Sequence, residues 1–327
     1  MLPLCSHAEE ADSTGRFEFG MQYDAELQTN FHGDYNFLNL LRLDGSVRLS
    51  ENLRIIVSTL SIAHTNENFA SDLQTFSNLV TDENVPLTIA VAGMEWEKET
   101  AKGTHKVFLG VSNTGEDYFA SEVTSFFVNS SNGIFPTISA NYPIGTYPYA
   151  SMSLHYEYDS KHWGAKATVY NGEGHYRLAG RDNVFRICPK SDGVFVMAHG
   201  EYKTSKSNIF LGGSLYKDSP TLWTYAEHNI GEYENGGLSI IATYSHCFEK
   251  EALCRNFVGA GAKLDINKVE LGIFSDYADY SFGHEYATEL SCRIPLCKHL
   301  SVKPSLHYIN GTTEKGLFGL VRMTVVF

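Results

Sequence analysis

From Arg16 onward, apolar and polar residues alternate one for one in short runs. Phe17, Phe19, Met21 and Tyr23 interleave with Glu18, Gln22 and Asp24. Leu41, Leu43, Val47 and Leu49 interleave with Arg42, Asp44, Ser46 and Arg48, and Met152, Leu154, Tyr156 and Tyr158 with Ser153, His155 and Glu157. The pattern returns at 194–203, 269–274 and 285–294. It ends with Val321, Met323, Val325 and Phe327 around Arg322 and Thr324. Successive side chains of a strand point to opposite faces, so a period of two predicts strands with one apolar and one polar face. The segments 16–26, 36–50, 53–64, 88–97, 105–113, 150–159, 162–172, 193–203, 206–217, 222–233, 236–247, 256–266, 267–277, 283–294, 299–310 and 316–327 read this way. The two faces separate least cleanly at 53–64 and 222–233.

A soluble β-sandwich also alternates. Two features favour a membrane barrel instead. Several runs keep the alternation for the roughly ten residues that a tilted spanning strand needs. The polar face carries Glu, Asp, Arg, Lys and His in strand centres, which suits a wet lumen. The connections divide as well. Ser50–Asn52, Ser160–Lys161, Thr204–Ser205, Glu234–Asn235 and Pro295–Lys298 are short, while 27–35, 65–87, 114–149 and 173–192 are longer. Short periplasmic turns opposite longer outer loops put both termini on the periplasmic side. Tyr158, Trp163, Tyr202 and Phe327 then share one membrane interface. The fold class expected is all-β, a transmembrane antiparallel barrel of about sixteen strands over 16–327. No internal repeat or domain boundary interrupts it.

Composition supports this picture. No stretch approaches the roughly 20 apolar residues of a membrane helix. Mean hydropathy is −0.20, as expected when only every second strand residue is apolar. Aromatics make up 13%, with 28 Gly and only 9 Pro, which suits many long strands. A net charge of −13 argues against a nucleic-acid partner. At the N-terminus, Ser6, His7 and Ala8 fit a small-x-small cleavage site behind too short an apolar region. Residues 1–15 are either the remnant of an export signal or an unstructured tail.

The longest connection carries a recognisable series. It reads Asn113-Thr-Gly-Glu-Asp-Tyr-Phe119, then Phe126-Phe-Val-Asn129, Gly133-Ile-Phe-Pro136 and Tyr147-Pro-Tyr-Ala150. The next hairpin closes on Trp163 through Tyr170, Asn171 and Gly172. This series, with the terminal aromatic Phe327, resembles the carbohydrate-selective porin family OprB over roughly 113–172 and the C-terminus. The rest of the chain agrees only in architecture, and six cysteines and a shorter length depart from the family's habit. The resemblance implies a sixteen-stranded outer-membrane channel, often a homotrimer, whose long loop folds into the lumen and narrows it.

A barrel of this size leaves an aqueous lumen, so selectivity needs a constriction. Loop 114–149 is the candidate by length. Its acids Glu116, Asp117 and Glu122 and its ring Tyr118 are candidate path residues, with Arg42, Arg48, Arg293 and Arg322 on the facing wall. Phe119, Phe126 and Phe127 either face solute or pin the loop to the wall. The other inward charges, including Lys106, Lys166, Lys263, Lys303, Glu157, Glu201, Glu270 and Glu289, read as a nearly balanced, mutually paired wall. The reading that follows is passive diffusion of small hydrophilic solutes, sugars among them, with no catalysis, no cofactor and no metal ligand set. The alternatives are a structural or adhesive barrel and, more remotely, an outer-membrane hydrolase using Ser153 and His155. Cys247 with Cys254, and Cys292 with Cys297, are expected to flank hairpin connections and to form at least one disulfide.

Overall fold

The computed structural model describes residues 16–66, 75–119, 121–233, 236–312 and 314–327. The N-terminal segment expected to be an export remnant or tail lies outside them, as does the expected turn at Glu234–Asn235. Sixteen strands follow in chain order: β1 (Phe17–Thr29), β2 (Tyr35–Ser50), β3 (Leu53–His64), β4 (Val85–Thr100), β5 (Gly103–Ser112), β6 (Ser151–Asp159), β7 (Trp163–Asn171), β8 (Val194–Lys203), β9 (Ser207–Tyr216), β10 (Ser219–Tyr233), β11 (Gly236–Cys247), β12 (Cys254–Ile266), β13 (Val269–Tyr280), β14 (Gly283–Cys297), β15 (Leu300–Asn310) and β16 (Lys315–Val326). Each pairs antiparallel with the next. β1 closes on β16, from Gln22 opposite Val326 to Thr29 opposite Gly319. Closure leaves no backbone edge unpaired, the condition for strands to cross a bilayer.

The alternation resolves into two surfaces. Phe19, Leu27, Ile55, Leu109, Leu154, Leu211, Ile273, Leu290 and Val321 are among the exposed apolar residues of the outer wall. Such a belt belongs in lipid. At the short-turn end, Trp163 and Tyr202 are paired across β7 and β8 with ring centroids 4.7 Å apart, and Phe327 stacks on His299 at 5.4 Å. These rings form the interfacial band expected there. The short connections include 51–52, 101–102, 160–162, 204–206, 267–268 and 298–299. At the other end, 65–84, 113–150 and 172–193 are long, but 217–218 and 281–282 are two-residue turns. The asymmetry expected along the whole barrel therefore belongs to its first half.

The inner wall is not uniformly polar. Tyr170, Phe195, Phe210, Tyr216, Trp223, Tyr225, Phe257 and Phe274 line β7–β13 and are buried. Inward Leu38, Leu40, Leu60 and Ile62 on β2 and β3 pack with Leu79 and Val85. Strands β3 and β10 showed poorly separated faces in sequence because both faces are apolar. One meets lipid and the other meets chain folded into the lumen.

The disulfide expectation is corrected. Cys188, Cys247, Cys254, Cys292 and Cys297 are all free thiols. Strand β14 runs on through Pro295 to Cys297, which pairs with Leu300, whereas Cys292 faces Leu271 on β13. Two cysteines five residues apart on one extended strand lie about 16 Å apart, beyond disulfide reach. Cys247 and Cys254 do sit at the ends of adjacent strands, but each sulfur has another partner. Cys247 Sγ lies 3.5 Å from the Tyr142 hydroxyl, and Cys254 Sγ lies 3.6 Å from the Asn256 carbonyl oxygen.

Candidate functional site

Loop 113–150 leaves β5 and turns inward at once. The Asn113 side chain accepts the Glu116 amide at 3.0 Å and caps a single helical turn, α1 (Thr114–Asp117). Asp117 then folds onto the wall, where its carboxylate accepts the Ser112 hydroxyl at 2.8 Å and the Tyr170 hydroxyl at 2.7 Å. The Tyr118 hydroxyl meets Thr168 at 2.8 Å and donates to the Met197 carbonyl at 3.0 Å. Phe119 and Phe135 pack on Trp223, Phe257 and each other, and Phe127 packs on Phe274. Gly272 makes room for this approach, since a Cβ there would fall 2.4 Å from the Phe126 ring. A second turn, α2 (Pro136–Ser139), is tied to the wall through Thr137 and Ser245 at 2.6 Å. Of the two readings open for Phe119, Phe126 and Phe127, the buried rings take the pinning role.

A loop inside a barrel must satisfy its own backbone. Wall carboxylates do this. Glu289 accepts the Val128 amide at 2.9 and 3.1 Å and the Asn129 amide at 2.9 Å. Glu227 accepts the Val123 amide at 2.8 Å, and Asp276 accepts the Ser131 hydroxyl at 2.7 Å. Glu289 reads in sequence as an ordinary wall charge, and nothing in the sequence singles out Glu227 or Asp276. Only the closed barrel turns them into anchors.

A second segment also enters the lumen. Asn78 donates its amide to Val128 at 2.7 Å, and Ser130 donates to Thr75 at 3.0 Å, so 75–78 lies along 128–130. Phe76 stacks on Phe318 at 5.5 Å, Leu79 fills the β2–β3 cluster, and the Tyr147 hydroxyl donates to the Leu79 carbonyl at 2.9 Å. The apolar spacing of Phe76, Leu79 and Val80 is the sequence signal for this docking, but within a connection as long as 65–87 it does not say what those side chains pack against.

The charges of these two inward segments pair differently from the expected facing rows. Glu116 alone among the loop acids meets one of the four predicted arginines. Arg42 reaches it with a two-toothed fork at 2.6 and 3.2 Å and holds Asp44 at 3.0 Å. Arg322 binds Glu26 at 2.7 Å and Asn78 at 2.8 Å, so it serves the second segment. Arg48 lies 3.7 Å from Glu18 near the short-turn mouth, and Arg293 pairs with Glu270 on the wall. Glu122 is mostly exposed and lies 3.4 Å from Lys263. Asp117 and Tyr118 face the β5–β8 wall rather than the opposing bases. The sequence placed the four arginines, Tyr118 and the three loop acids inside but had no means of pairing them.

No protein-family model matches the chain, and no curated protein sequence does. Solved structures match throughout. The high-pH structure of OprB from Pseudomonas putida superposes with a TM-score of 0.81 at 12% identity, covering 95% of this chain and 94% of that one. The chain has the porin fold. A loop-deletion mutant of OmpT from Vibrio cholerae follows at TM-score 0.59 and 10% identity, covering 95% of this chain and 99% of that one. A triple mutant of the Rhodopseudomonas blastica porin gives 0.56 at 8%, covering 95% and 100%. In this porin barrel, several lumen charges around the Arg42–Glu116 bridge keep access to solvent: Asp44 and Lys106 are 26% exposed, Glu157 29% and Arg54 40%. A cavity of about 250 Å³ opens below them at the short-turn mouth, lined by Arg48, Arg54, Glu95 and Glu97 among others. One of about 170 Å³ lies at the opposite mouth among Asp82, Glu83, Tyr147, Tyr149 and Tyr176. Ser153 and His155 of the hydrolase alternative also lie in the lumen. The Ser153 hydroxyl pairs with Ser112 at 2.8 Å and donates to the Gly110 carbonyl at 3.2 Å, while His155 Nδ1 lies 3.6 Å from Asp117. Both residues stand behind α1 and support it.

Proposed function

We propose that the protein is an outer-membrane porin for passive diffusion of small hydrophilic solutes, with carbohydrates as the preferred class. One observation carries this reading: an ion-paired, hydrogen-bonded loop lies across the lumen, with Glu116 held against Arg42. A fixed carboxylate beside a fixed guanidinium offers acceptors and donors to sugar hydroxyls. Their mutual pairing keeps such contacts weak enough to release a solute, as conduction requires. The likeness to OprB in fold and the series of motifs over 113–172 support sugars over a general solute. No cofactor enters this reading. Lipid is the barrel's immediate partner, and a homotrimer is the assembly we infer from the family resemblance.

The test is single-channel conductance of the refolded protein in a planar bilayer, with a sugar titration. Discrete conductance steps that glucose or a disaccharide blocks support the proposal. Deleting 116–128 then raises conductance and removes the block. Steps without any sugar block reduce the reading to a general porin. A protein that inserts and never conducts is a structural or adhesive barrel.

A further inference from the structure

Three side chains at the outer mouth have no part in the constriction. Glu173 and His175 follow β7, and Asp192 ends the helical turn α3 (Pro189–Asp192) that leads into β8. Tertiary folding brings them together, with one donor atom from each within 4.8 Å of the others. Sequence spacing could not show this, because residues 176–191 loop out between them. The backbone around the donors is fixed. His175 exchanges two 2.8 Å hydrogen bonds with Ala150, and the Tyr216 hydroxyl donates to the Asp192 carbonyl at 2.8 Å.

The histidine is the telling member. His175 is only 8% exposed, and its Nε2 is buried without a hydrogen-bond partner. An unsatisfied buried ring nitrogen carries a desolvation cost that a bound ligand removes. Two carboxylates beside one imidazole form an oxygen–nitrogen donor set, and metal bonds of about 2.0–2.2 Å need only a small closure of the three side chains. Glu173, the exposed member, is free to supply that movement. Asp192 is not idle: Arg186 holds it through Nε and Nη2, both at 2.9 Å, and Asn171 and Ser191 also donate to it. A cation entering here competes with Arg186. That side chain already contacts Asp182 at 2.8 Å and can withdraw onto it.

We propose that Glu173, His175 and Asp192 bind a first-row divalent cation of the zinc type, which ties 173–175 to α3 at the outer mouth. The imidazole selects against Mg²⁺, which prefers all-oxygen sites. This site is independent of what the channel carries.

The experiment is a calorimetric titration of the detergent-solubilised full chain with Zn²⁺, alongside His175→Ala, Arg186→Gln and, at the opposite mouth, His162→Ala. Loss of an outer-shell contact alone costs 10–100-fold in metal affinity, so His175→Ala, which removes a ligand, weakens Zn²⁺ binding by at least about tenfold. Arg186→Gln tightens binding by removing the competing cation, and His162→Ala leaves it unchanged. If His175→Ala fails to fold, Glu173→Gln at the exposed position replaces it with the same direction of effect. Equal Zn²⁺ binding by wild type and the His175 or Glu173 variant, no binding at all, or equal affinity for Mg²⁺ each overturns the proposal.

Discussion

Replacing Glu289 with alanine removes the acceptor for two loop amides that have no other place to turn. Glu289 is 1% exposed and holds Val128 and Asn129 through three contacts of 2.9–3.1 Å. Hydrogen bonds to a charged partner contribute about 1.5–3 kcal/mol each, so two amides left dry cost about 3–6 kcal/mol. Water entering the lumen lowers that figure by solvating them. The loop as a whole stays inside, because Phe119, Phe126, Phe127 and Phe135 remain buried at about 2 kcal/mol each, and Glu227 and Asp276 keep their bonds. What loosens is 127–130 together with the strip 75–78 that lies along it. A shift of about 3 kcal/mol multiplies the population of the loosened state roughly a hundredfold. Single-channel recording should therefore show rapid flicker to higher conductance in Glu289→Ala, against a steady wild-type level. Glu289→Gln keeps an acceptor without the charge and should lose roughly half as much. If the alanine variant retains its β-sheet spectrum and its heat-dependent gel mobility yet gives the wild-type trace, the anchoring argument is wrong.

Neutralising Glu116 with Glu116→Gln should shift reversal potentials toward anions, since it frees Arg42 from one of its two acids; an unchanged reversal potential would place the ion path elsewhere. Asp117→Asn should instead disturb solute block by loosening α1, because Asp117 binds Ser112 and Tyr170 rather than facing the arginines; a selectivity shift as large as that of Glu116→Gln contradicts this division of roles. All five described cysteines should react with an alkylating agent without prior reduction, Cys247 and Cys254 only after unfolding; mass spectrometry showing a disulfide between them refutes the thiol assignment. Burial pushes the Asp192 carboxyl up, but hydrogen bonds from Arg186, Ser191 and Asn171 outweigh it and hold the group at about 2, below its ordinary 3.8. A depressed carboxylate stabilises fully above its unfolded value and loses that contribution as pH falls through the folded one. Limited acid proteolysis should find 173–192 protected at pH 4 and increasingly cut toward pH 2, and uniform cleavage across that range would count against a stabilising role for the Arg186–Asp192 pair.

The sequence alone determined the barrel. Alternation with a period of two is a local property of each strand. Sixteen such runs with ionic residues on the polar face admit few solutions other than closure in a membrane. That 114–149 does more than join two strands was legible for the same local reason, since that connection is too long and too aromatic to idle. What filled the lumen was not legible. Whether Glu289 is a solvated wall charge or a clamp on Val128 and Asn129 depends on residues 161 and 160 positions away, and nothing in either segment encodes that meeting. The same holds for Arg322 and Asn78, and for His175 and Asp192. The mixed faces of β3 and β10 were the imprint of the inward chain: a wall residue is apolar on its lumen side only where something apolar covers it. Read as noise in an alternation, Leu60, Ile62, Trp223 and Tyr225 blur the strand pattern. Once the barrel is closed, they mark where the loops dock.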